Sequence, residues 1–342
     1  MFQYFQKFLD SYNQDGYKYN KINENNHILI RFNLDDVTFD DVNKGLSNVT
    51  IKSINGSKYH SQDSQIIKRF FSNNFLSYHH YKIYNNVKLS LSYFSFQNNI
   101  WIYVLKRLDD PIVVDIDKVI NICNIFITLG YISHVQIFIL PYKYNKIAYK
   151  NVRYFSKFNV NSGMSSHMSN EIHLYRNEEF YKVLIHELLH LSKFDISGCK
   201  ENGIVNPSGI INVVRPSEGY IETIATILNL VLMSKNIDIS NLLNVELNFS
   251  LTQSYKVYTL LSMGYEDYSN IYQYIIYKSY MLMNINNFMK FVQKYEKIDT
   301  DEKYELYIKL FVKDHKDIIK YFNDIGDQID SLRFTFFSID MS

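Results

Sequence analysis

The chain has 342 residues, of which 46 % are hydrophobic and 21 % are charged, and its net charge is +1. This length allows two or three domains with a large core. A charge near zero gives no field that would attract nucleic acid or an anionic membrane, so neither is expected as a partner. The two cysteines, Cys123 and Cys199, exclude a disulfide framework and are typical of a reducing compartment.

The ends and apolar stretches of the chain suggest an intracellular protein that is not secreted. Residues 1–7 lack a basic segment followed by an apolar one, so no secretory signal is predicted. The longest apolar stretch, 112–132, is interrupted by charged residues and is too polar for a membrane span. Asn, Ile, Lys and Tyr are abundant. Because their codons are A/T-rich, this abundance suggests an AT-rich virus, protist or bacterium, with the host cytoplasm or the virion as the location if the source is viral.

Residues 1–110 are predicted to form an N-terminal mixed α/β region. Residues 1–20 have apolar residues at helical spacing, and segments 27–32 and 49–54 alternate like strands. Segments 87–96 and 100–105 flank Gln97-Asn98-Asn99 and predict a hairpin. The simplest role for the many Tyr and Phe residues of these strands is core packing.

Residues 111–235 are predicted to form a second region and residues 236–342 a helical C-terminal region, which gives an α+β fold class. In the second region we expect a helix at 116–131, a strand at 135–140 and another at 171–176. A helix should follow, with Asn177 as its N-cap and Glu178 and Glu179 in its first turn, where acidic side chains suit the helix dipole. The other predicted helices, one in the second region and three in the third, are 218–233, 251–263, 270–295 and 303–321.

The strongest signal is the stretch of residues 181–190, which contains H-E-x-x-H inside an apolar run. On a helix, residues four apart share a face, so His186 and His190 can present two imidazoles to one metal ion. Glu187 lies beside them, where it can hold and deprotonate the water of such a metal. Neutral imidazole suits zinc, and a catalytic zinc usually has three protein ligands. The sequence therefore predicts a zinc site.

The alternative is that the two histidines and Glu187 are ordinary polar residues on a half-exposed helix. The helix is apolar nearly all round, which indicates that it is buried. Burying these three side chains without partners would be costly, and a metal ion would supply the partner.

A third ligand is needed, and Glu218 is the main candidate. No His follows His190 until His315, so a third histidine ten residues after the first is excluded. Glu218 opens the next predicted helix, and Glu222 shares its face one turn later. Glu222 is the alternative ligand, and a helix cap or a solvated helix face is the structural alternative for both carboxylates.

The two motifs together resemble the gluzincins, the thermolysin-like zinc peptidases. Their second helix opens with a ligand Glu, and an acidic residue four positions later often supports a ligand His. The resemblance implies a zincin-like catalytic core, namely a small mixed sheet with the H-E-x-x-H helix and a second ligand helix. It also implies that Glu218 is the third ligand and that Glu222 orients a ligand histidine.

A narrower resemblance rests on V-N-S-G at residues 160–163 and on Y-R-x-E-E-x-x-K-V-L-I-H-E-x-x-H at 175–190. These motifs are similar to those of uncharacterised predicted metallopeptidases of large DNA viruses. The AT-rich composition agrees with a viral protein.

The expected function is that of a zinc-dependent peptidase acting on a protein or peptide, with Glu187 as general base. The strand at 171–176 could pair with an extended substrate, and the loop at 161–163 could line the same cleft. Candidate tyrosines for stabilising the oxyanion are Tyr255, Tyr258 and Tyr265.

The competing hypothesis is a catalytically silent structural or virion protein that keeps a metallopeptidase fold. Its aromatic flanks would then pack into an assembly, with a virion or self-assembly partner. An intact Glu187 favours the enzyme, since a scaffold does not need a general base.

Overall fold

The computed structural model describes residues 30–40, 48–54, 61–71, 89–108, 110, 114–141, 146, 153–195, 202–205, 211–234, 238–312 and 334–335. It is a mixed α+β protein with a mixed sheet and several helices, in agreement with the predicted class. The predicted helix at 1–20 lies outside the described residues.

The described strands and helices follow one another along the chain. The strands are β1 (Ile30–Asp40), β2 (Asn48–Ile54), β3 (Leu89–Phe96), β4 (Ile100–Arg107), β5 (Val135–Ile139), β6 (Tyr154–Ser156), β7 (Gly163–Ser166), β8 (Glu171–Leu174), β9 (Asn202–Val205), β10 (Ile211–Val214) and β11 (Glu266–Tyr268). The helices are α1 (Ser61–Phe71), α2 (Ile116–Thr128), α3 (Lys157–Val160), α4 (Phe180–Leu191), α5 (Pro216–Met233), α6 (Ile239–Ser262), α7 (Lys278–Met283), α8 (Ile285–Tyr295) and α9 (Asp301–Phe311). A π-helical segment, Gln273–Tyr277, directly precedes α7.

These elements group into two compact units. One takes its elements from residues 17–144 and 162–180, and the other from residues 145–161 and 181–339. Strands on both sides of residue 110 pair in one sheet of the first unit. The three-part division 1–110, 111–235 and 236–342 stays a prediction, because compactness alone does not show which segments fold by themselves.

The first unit is built on a seven-stranded sheet in the order β2-β1-β3-β4-β5-β8-β7. β5 runs parallel to β4 and β8, and the other neighbours are antiparallel. The predicted hairpin is confirmed, since β3 and β4 pair across a turn in which Gln97 and Asn98 have positive φ angles of 48° and 56°. α2 connects β4 to β5, as a parallel pair requires a long connection, and it begins after the N-cap Asp115.

Four aromatic rings on adjacent strands pack against one another in register across this sheet. Tyr93, Tyr103, Phe138 and His173 are successive Cα partners on β3, β4, β5 and β8. Their ring centroids are 5.1, 4.9 and 4.7 Å apart in that order. Phe70 of α1 meets Phe138 edge-on at 5.2 Å. Such pairs stabilise a sheet through cross-strand contacts, so packing accounts for much of the aromatic content of these strands.

Two expectations for the segment before the metal motif are corrected. β8 lies between β5 and β7, so its backbone groups are already paired, and β7 is the strand at that edge of the sheet. Helix α4 begins only at Phe180, since Glu179 has a φ angle of 57° that no helix residue adopts. Asn177 is therefore not its N-cap, and Glu178 and Glu179 precede its first turn.

The second unit is mainly helical, with α5 as its most buried long helix. All its residues from Pro216 to Val231 are buried except Glu218, which is intermediate. Between α4 and α5 the chain contains the antiparallel pair β9 and β10. The single helix predicted at 270–295 is instead divided into the π-helical segment, α7 and α8.

A buried ion pair connects α6 to α7. Lys278 donates a hydrogen bond to Glu246 at 3.1 Å, and both side chains are almost completely buried. Thr335 donates to the other Glu246 oxygen at 2.6 Å, and Lys278 also donates to the Phe334 carbonyl. The pair therefore anchors residues 334–335 to these two helices. Across the described helices, none has both the length and the apolarity to cross a membrane.

We predict that Gly219→Ala destabilises the protein, although alanine is the better helix former. A Cβ atom at Gly219 would lie 2.9 Å from Tyr277 Cβ and 3.1 Å from the Gln273 carbonyl oxygen, so α5 and the π-helical segment would have to separate. We expect a loss of about 1–3 kcal/mol in the free energy of unfolding, measured in urea. Ser217→Ala, two residues away on the same helix, is the control that adds no atom. A Gly219→Ala protein as stable as the wild type would contradict this close approach.

Candidate metal centre

Helix α4 carries its polar side chains on one face of an otherwise buried apolar helix. Lys182, His186 and His190 follow one another at intervals of four residues, and Glu187 lies beside His186. The remaining side chains of the motif region are apolar and buried: Val183, Leu184, Ile185, Leu188, Leu189 and Leu191. Because residues four apart share a helix face, Lys182, His186 and His190 project from the same face of α4.

Helix α5 presents two carboxylates to that face of α4. Lys182 Nζ lies 2.6 Å from Glu222 Oε1, and His186 Nδ1 lies 3.0 Å from Glu222 Oε2. His190 Nε2 lies 3.4 Å from Glu218 Oε2. Lys182, the earlier residue on α4, meets Glu222, whereas His190, the later one, meets Glu218, which comes before Glu222 on α5. The two helices therefore run in opposite directions here. Neither carboxylate lies on a solvated helix face, since the Glu222 and Glu218 side chains are only 1 % and 13 % exposed.

Three possible ligand atoms converge at one point. The His186 and His190 Nε2 atoms are 3.0 Å apart, and Glu218 Oε2 lies 3.6 Å from the first and 3.4 Å from the second. Two ligand atoms bound at about 2.0–2.1 Å and at a tetrahedral angle are separated by about 3.3–3.4 Å. The triangle of donors therefore has the size that a tetrahedral metal ion requires, and these three residues could hold one.

Carboxylates orient both imidazoles. The His186 ring donates from Nδ1 to Glu222, and the His190 ring donates from Nδ1 to Asp195 Oδ2 at 3.1 Å. In a neutral imidazole the other nitrogen is then a lone-pair acceptor. Two such lone pairs and a carboxylate oxygen face one another, and Glu218 Oε2 is buried without a hydrogen-bond donor. This arrangement needs a proton or a metal cation at its centre.

The two histidines and the two carboxylates of α5 shift one another's pKa values. Burial opposes charge on each of them, but the opposite charges of the neighbours outweigh it. The pKa of Glu222 is lowered to about 2, mainly by Lys182 and by the hydrogen bond from His186. His190 and His186 lower the pKa of Glu218. The nearby carboxylates of Glu218 and Glu222 raise the pKa of His186, and Asp195 with Glu218 raises that of His190 well above its usual range.

Glu187 and one tyrosine border the three donors. Glu187 is 6 % exposed, and within the described part of the chain no hydrogen bond engages its carboxylate. The Tyr274 ring lies edge-on to His186 with its centroid 5.8 Å away. Burial, and then the charges of Glu218, Glu187 and Glu222, raise the pKa of Tyr274 well above its usual range, so its phenol keeps its proton at neutral pH.

The structure brings together His186, His190 and Glu218, with Glu222 behind His186, as the resemblance to gluzincins implied. Of the two carboxylates, the geometry favours Glu218 as the metal ligand, because both Glu222 oxygens already have partners. Of the expected tyrosines, Tyr255 and Tyr258 belong to α6, and Tyr265 packs on Phe155 with ring centroids 5.5 Å apart, so none is assigned to the site here.

Three residues of the site were missed from the sequence. The position of Lys182 one turn before His186 was a usable signal, since the same spacing separates Glu218 from Glu222. Asp195 follows His190 by five residues, beyond the end of the helix, where a turn decides the distance. Tyr274 carried no signal, because the chain has 30 tyrosines and this one lies more than fifty residues from the other site residues.

Comparisons of the chain with protein-family models, with curated proteins and with solved structures gave no match. The resemblance to gluzincins and to viral metallopeptidases therefore stays a prediction, which depends on the motifs of the chain itself.

We predict that the metal-free protein loses stability as the pH rises from about 6 to 9. The pKa values of His186 and His190 are higher in the folded protein than in the unfolded chain, so the folded protein binds these protons more tightly. The resulting stability is fully present below the ordinary histidine pKa of 6.5, and it is lost as the pH rises through the folded-state pKa values. A bound metal takes the place of these protons, so the loss should disappear when metal is present. Urea unfolding at pH 6 and pH 9, with chelator and with zinc, measures both effects.

The control for this prediction is His190→Gln, which cannot take up a proton at that position. Its metal-free form should lose less stability over the same pH range than the metal-free wild type. A wild-type protein whose metal-free form is equally stable at both pH values would contradict the raised histidine pKa values.

Proposed function

We propose that the chain is a zinc-dependent peptidase of the gluzincin type, with His186, His190 and Glu218 as the metal ligands. The observation that carries this proposal is the triangle of two Nε2 atoms and one carboxylate oxygen, with sides of 3.0, 3.4 and 3.6 Å. Two imidazoles and one carboxylate are a ligand set used by catalytic zinc, which keeps a fourth position open. α4 and α5 would then be the two ligand helices of a zincin-like core.

Glu187 is the group suited to proton transfer. When bound, zinc would polarise the scissile carbonyl and lower the pKa of a water molecule. Glu187 accepts a proton from the attacking water and passes it to the nitrogen of the leaving amine as the peptide bond breaks. Glu187 directly follows His186 on α4, and no described residue donates a hydrogen bond to its carboxylate.

Tyr274 is suited to stabilise the negative charge that develops on the carbonyl oxygen. It is buried beside His186, and its raised pKa keeps the phenol protonated as a hydrogen-bond donor. Tyr274 belongs to the π-helical segment, and such segments are frequent at functional sites.

A protein or peptide is the proposed substrate class, because a zinc-activated water with a carboxylate base is chemistry suited to peptide-bond hydrolysis. The pairing with substrate expected for the strand at 171–176 is not available, since β8 is already paired on both sides within the sheet.

We predict that Glu218→Ala weakens zinc binding far more than Glu222→Ala. The first removes a direct ligand, whereas loss of a residue that orients a ligand typically costs about 10- to 100-fold in affinity. Competition with a chromophoric chelator measures both affinities, and thermal unfolding confirms that each variant is folded. If Glu222→Ala abolishes zinc binding and Glu218→Ala does not, the ligand assignment is reversed.

We predict that Glu187→Gln keeps the fold and the zinc content but loses peptide cleavage by about 100- to 10,000-fold. Glutamine preserves the size of the side chain and removes the base. Mass spectrometry of a peptide library incubated with each protein measures cleavage, with a chelator-treated wild type as the blank.

Two results would argue against the peptidase. Equal cleavage by Glu187→Gln and the wild type would show that the activity does not come from this site. Zinc binding by the wild type without cleavage in a broad library would favour the structural or virion protein.

A further inference from the structure

Lys182 is a buried lysine in direct contact with the candidate metal centre, and the proposed chemistry does not use it. Its side chain is 1 % exposed, and Nζ donates a hydrogen bond to Glu222 Oε1 at 2.6 Å. The other oxygen of the same carboxylate accepts from His186 Nδ1 at 3.0 Å. One carboxylate thus joins an ammonium group to the imidazole of a ligand residue.

Burying a lysine and a glutamate is costly, and their mutual attraction offsets that cost only when the geometry is good. The Lys182 ammonium also lies 5.0 Å from the centroid of the Phe334 ring, a distance at which the ring attracts a cation. The second unit has another buried pair, Lys278 with Glu246, which joins two helices and includes no histidine. Lys182 differs because its partner, Glu222, also accepts a hydrogen bond from His186, a proposed metal ligand.

The Lys182 contact fixes the orientation of the Glu222 carboxylate. With Oε1 held by the ammonium group, Oε2 is directed at His186 Nδ1. That hydrogen bond keeps the proton on Nδ1 and turns the Nε2 lone pair towards His190 Nε2 and Glu218. Without the ammonium group, the carboxylate loses the contact that prevents its rotation.

His190 is oriented in a different way. Its Nδ1 partner, Asp195, lies on the turn after α4, and its side chain is 12 % exposed. Lys297 Nζ and the Ile298 amide donate to carbonyl groups of that turn, at Ser192 and Phe194, over 2.8 and 2.9 Å. A backbone clamp thus positions the acid behind His190, whereas a buried side-chain cation positions the acid behind His186.

We propose that Lys182 is a positioning residue of the metal centre: it holds Glu222 Oε1 so that Oε2 fixes the imidazole of His186 with Nε2 facing the metal. Since Lys182 acts on the metal through two other side chains, this role rests on the proposed metal-binding function. The residue neither binds the metal nor contacts substrate.

The test is Lys182→Met, which keeps much of the length and apolar volume of the side chain and removes the charge. The affinity for zinc should fall by about 10- to 100-fold, as typically found when the partner of a ligand residue is lost. The visible absorption spectrum of the cobalt-substituted protein should change, because one ligand imidazole is no longer held in place. A purely structural role would leave that spectrum unchanged in the folded variant.

The matched control is Lys256→Met. Lys256 is also buried, but its ammonium group donates to Gln253 on α6 at 3.2 Å. Its zinc affinity and cobalt spectrum should equal those of the wild type. A Lys182→Met protein with wild-type zinc affinity and cobalt spectrum overturns the positioning role.

A second pair of variants decides the question if Lys182→Met does not fold. Lys182→Met combined with Glu222→Gln removes both charges and leaves no unpaired buried ion. If Lys182 acts only through Glu222, this double variant binds zinc as tightly as Glu222→Gln alone. A further 10-fold loss in the double variant overturns the proposed route. If the wild-type chain itself takes up no zinc, the proposed function fails first, and the positioning role fails with it.

Discussion

The centre of the second unit depends on charge compensation between two buried antiparallel helices. α4 contributes an ammonium group and two imidazoles at four-residue intervals, and α5 contributes two carboxylates at the same interval. Each carboxylate bridges two partners, so Glu222 contacts Lys182 and His186, and Glu218 lies against both histidines. Removing any one member leaves a buried charge or lone pair without its counterpart, which is more costly than the loss of a single hydrogen bond.

The charged and imidazole side chains of α4 and α5 can meet only while the two helix backbones stay close, and the neighbouring helices keep them close. Glu218 and Glu222 of α5 meet α4. Gly219, next to Glu218, instead faces the π-helical segment, where there is no space for a Cβ atom. The same π-helical segment carries Tyr274 to His186. The position of the tyrosine is therefore tied to the position of Glu218 through one close contact between helices.

Residues far away in the chain complete the surroundings of the site. Phe334 packs against Tyr274 with ring centroids 5.1 Å apart, and its ring lies 3.7 Å from the Lys146 ammonium group. Its carbonyl and the neighbouring Thr335 are held by the buried pair of Lys278 and Glu246. The most C-terminal of the described residues thus place an aromatic ring beside the Lys182 ammonium group, which lies 5.0 Å from the ring centroid.

The sequence by itself determined the local features, because they depend on contacts within a few residues. The i, i+4 spacing placed His186 and His190 on one face, and the same spacing placed Glu218 and Glu222 together. The alternation around Gln97-Asn98-Asn99 likewise predicted the β3–β4 hairpin. Tertiary structure alone decided what lies opposite each group: Lys182 behind Glu222, Asp195 behind His190 and Tyr274 beside His186. It also buried β8 inside the sheet and began α4 at Phe180, since strand order and a positive φ angle depend on neighbours that the periodicity of one segment does not contain.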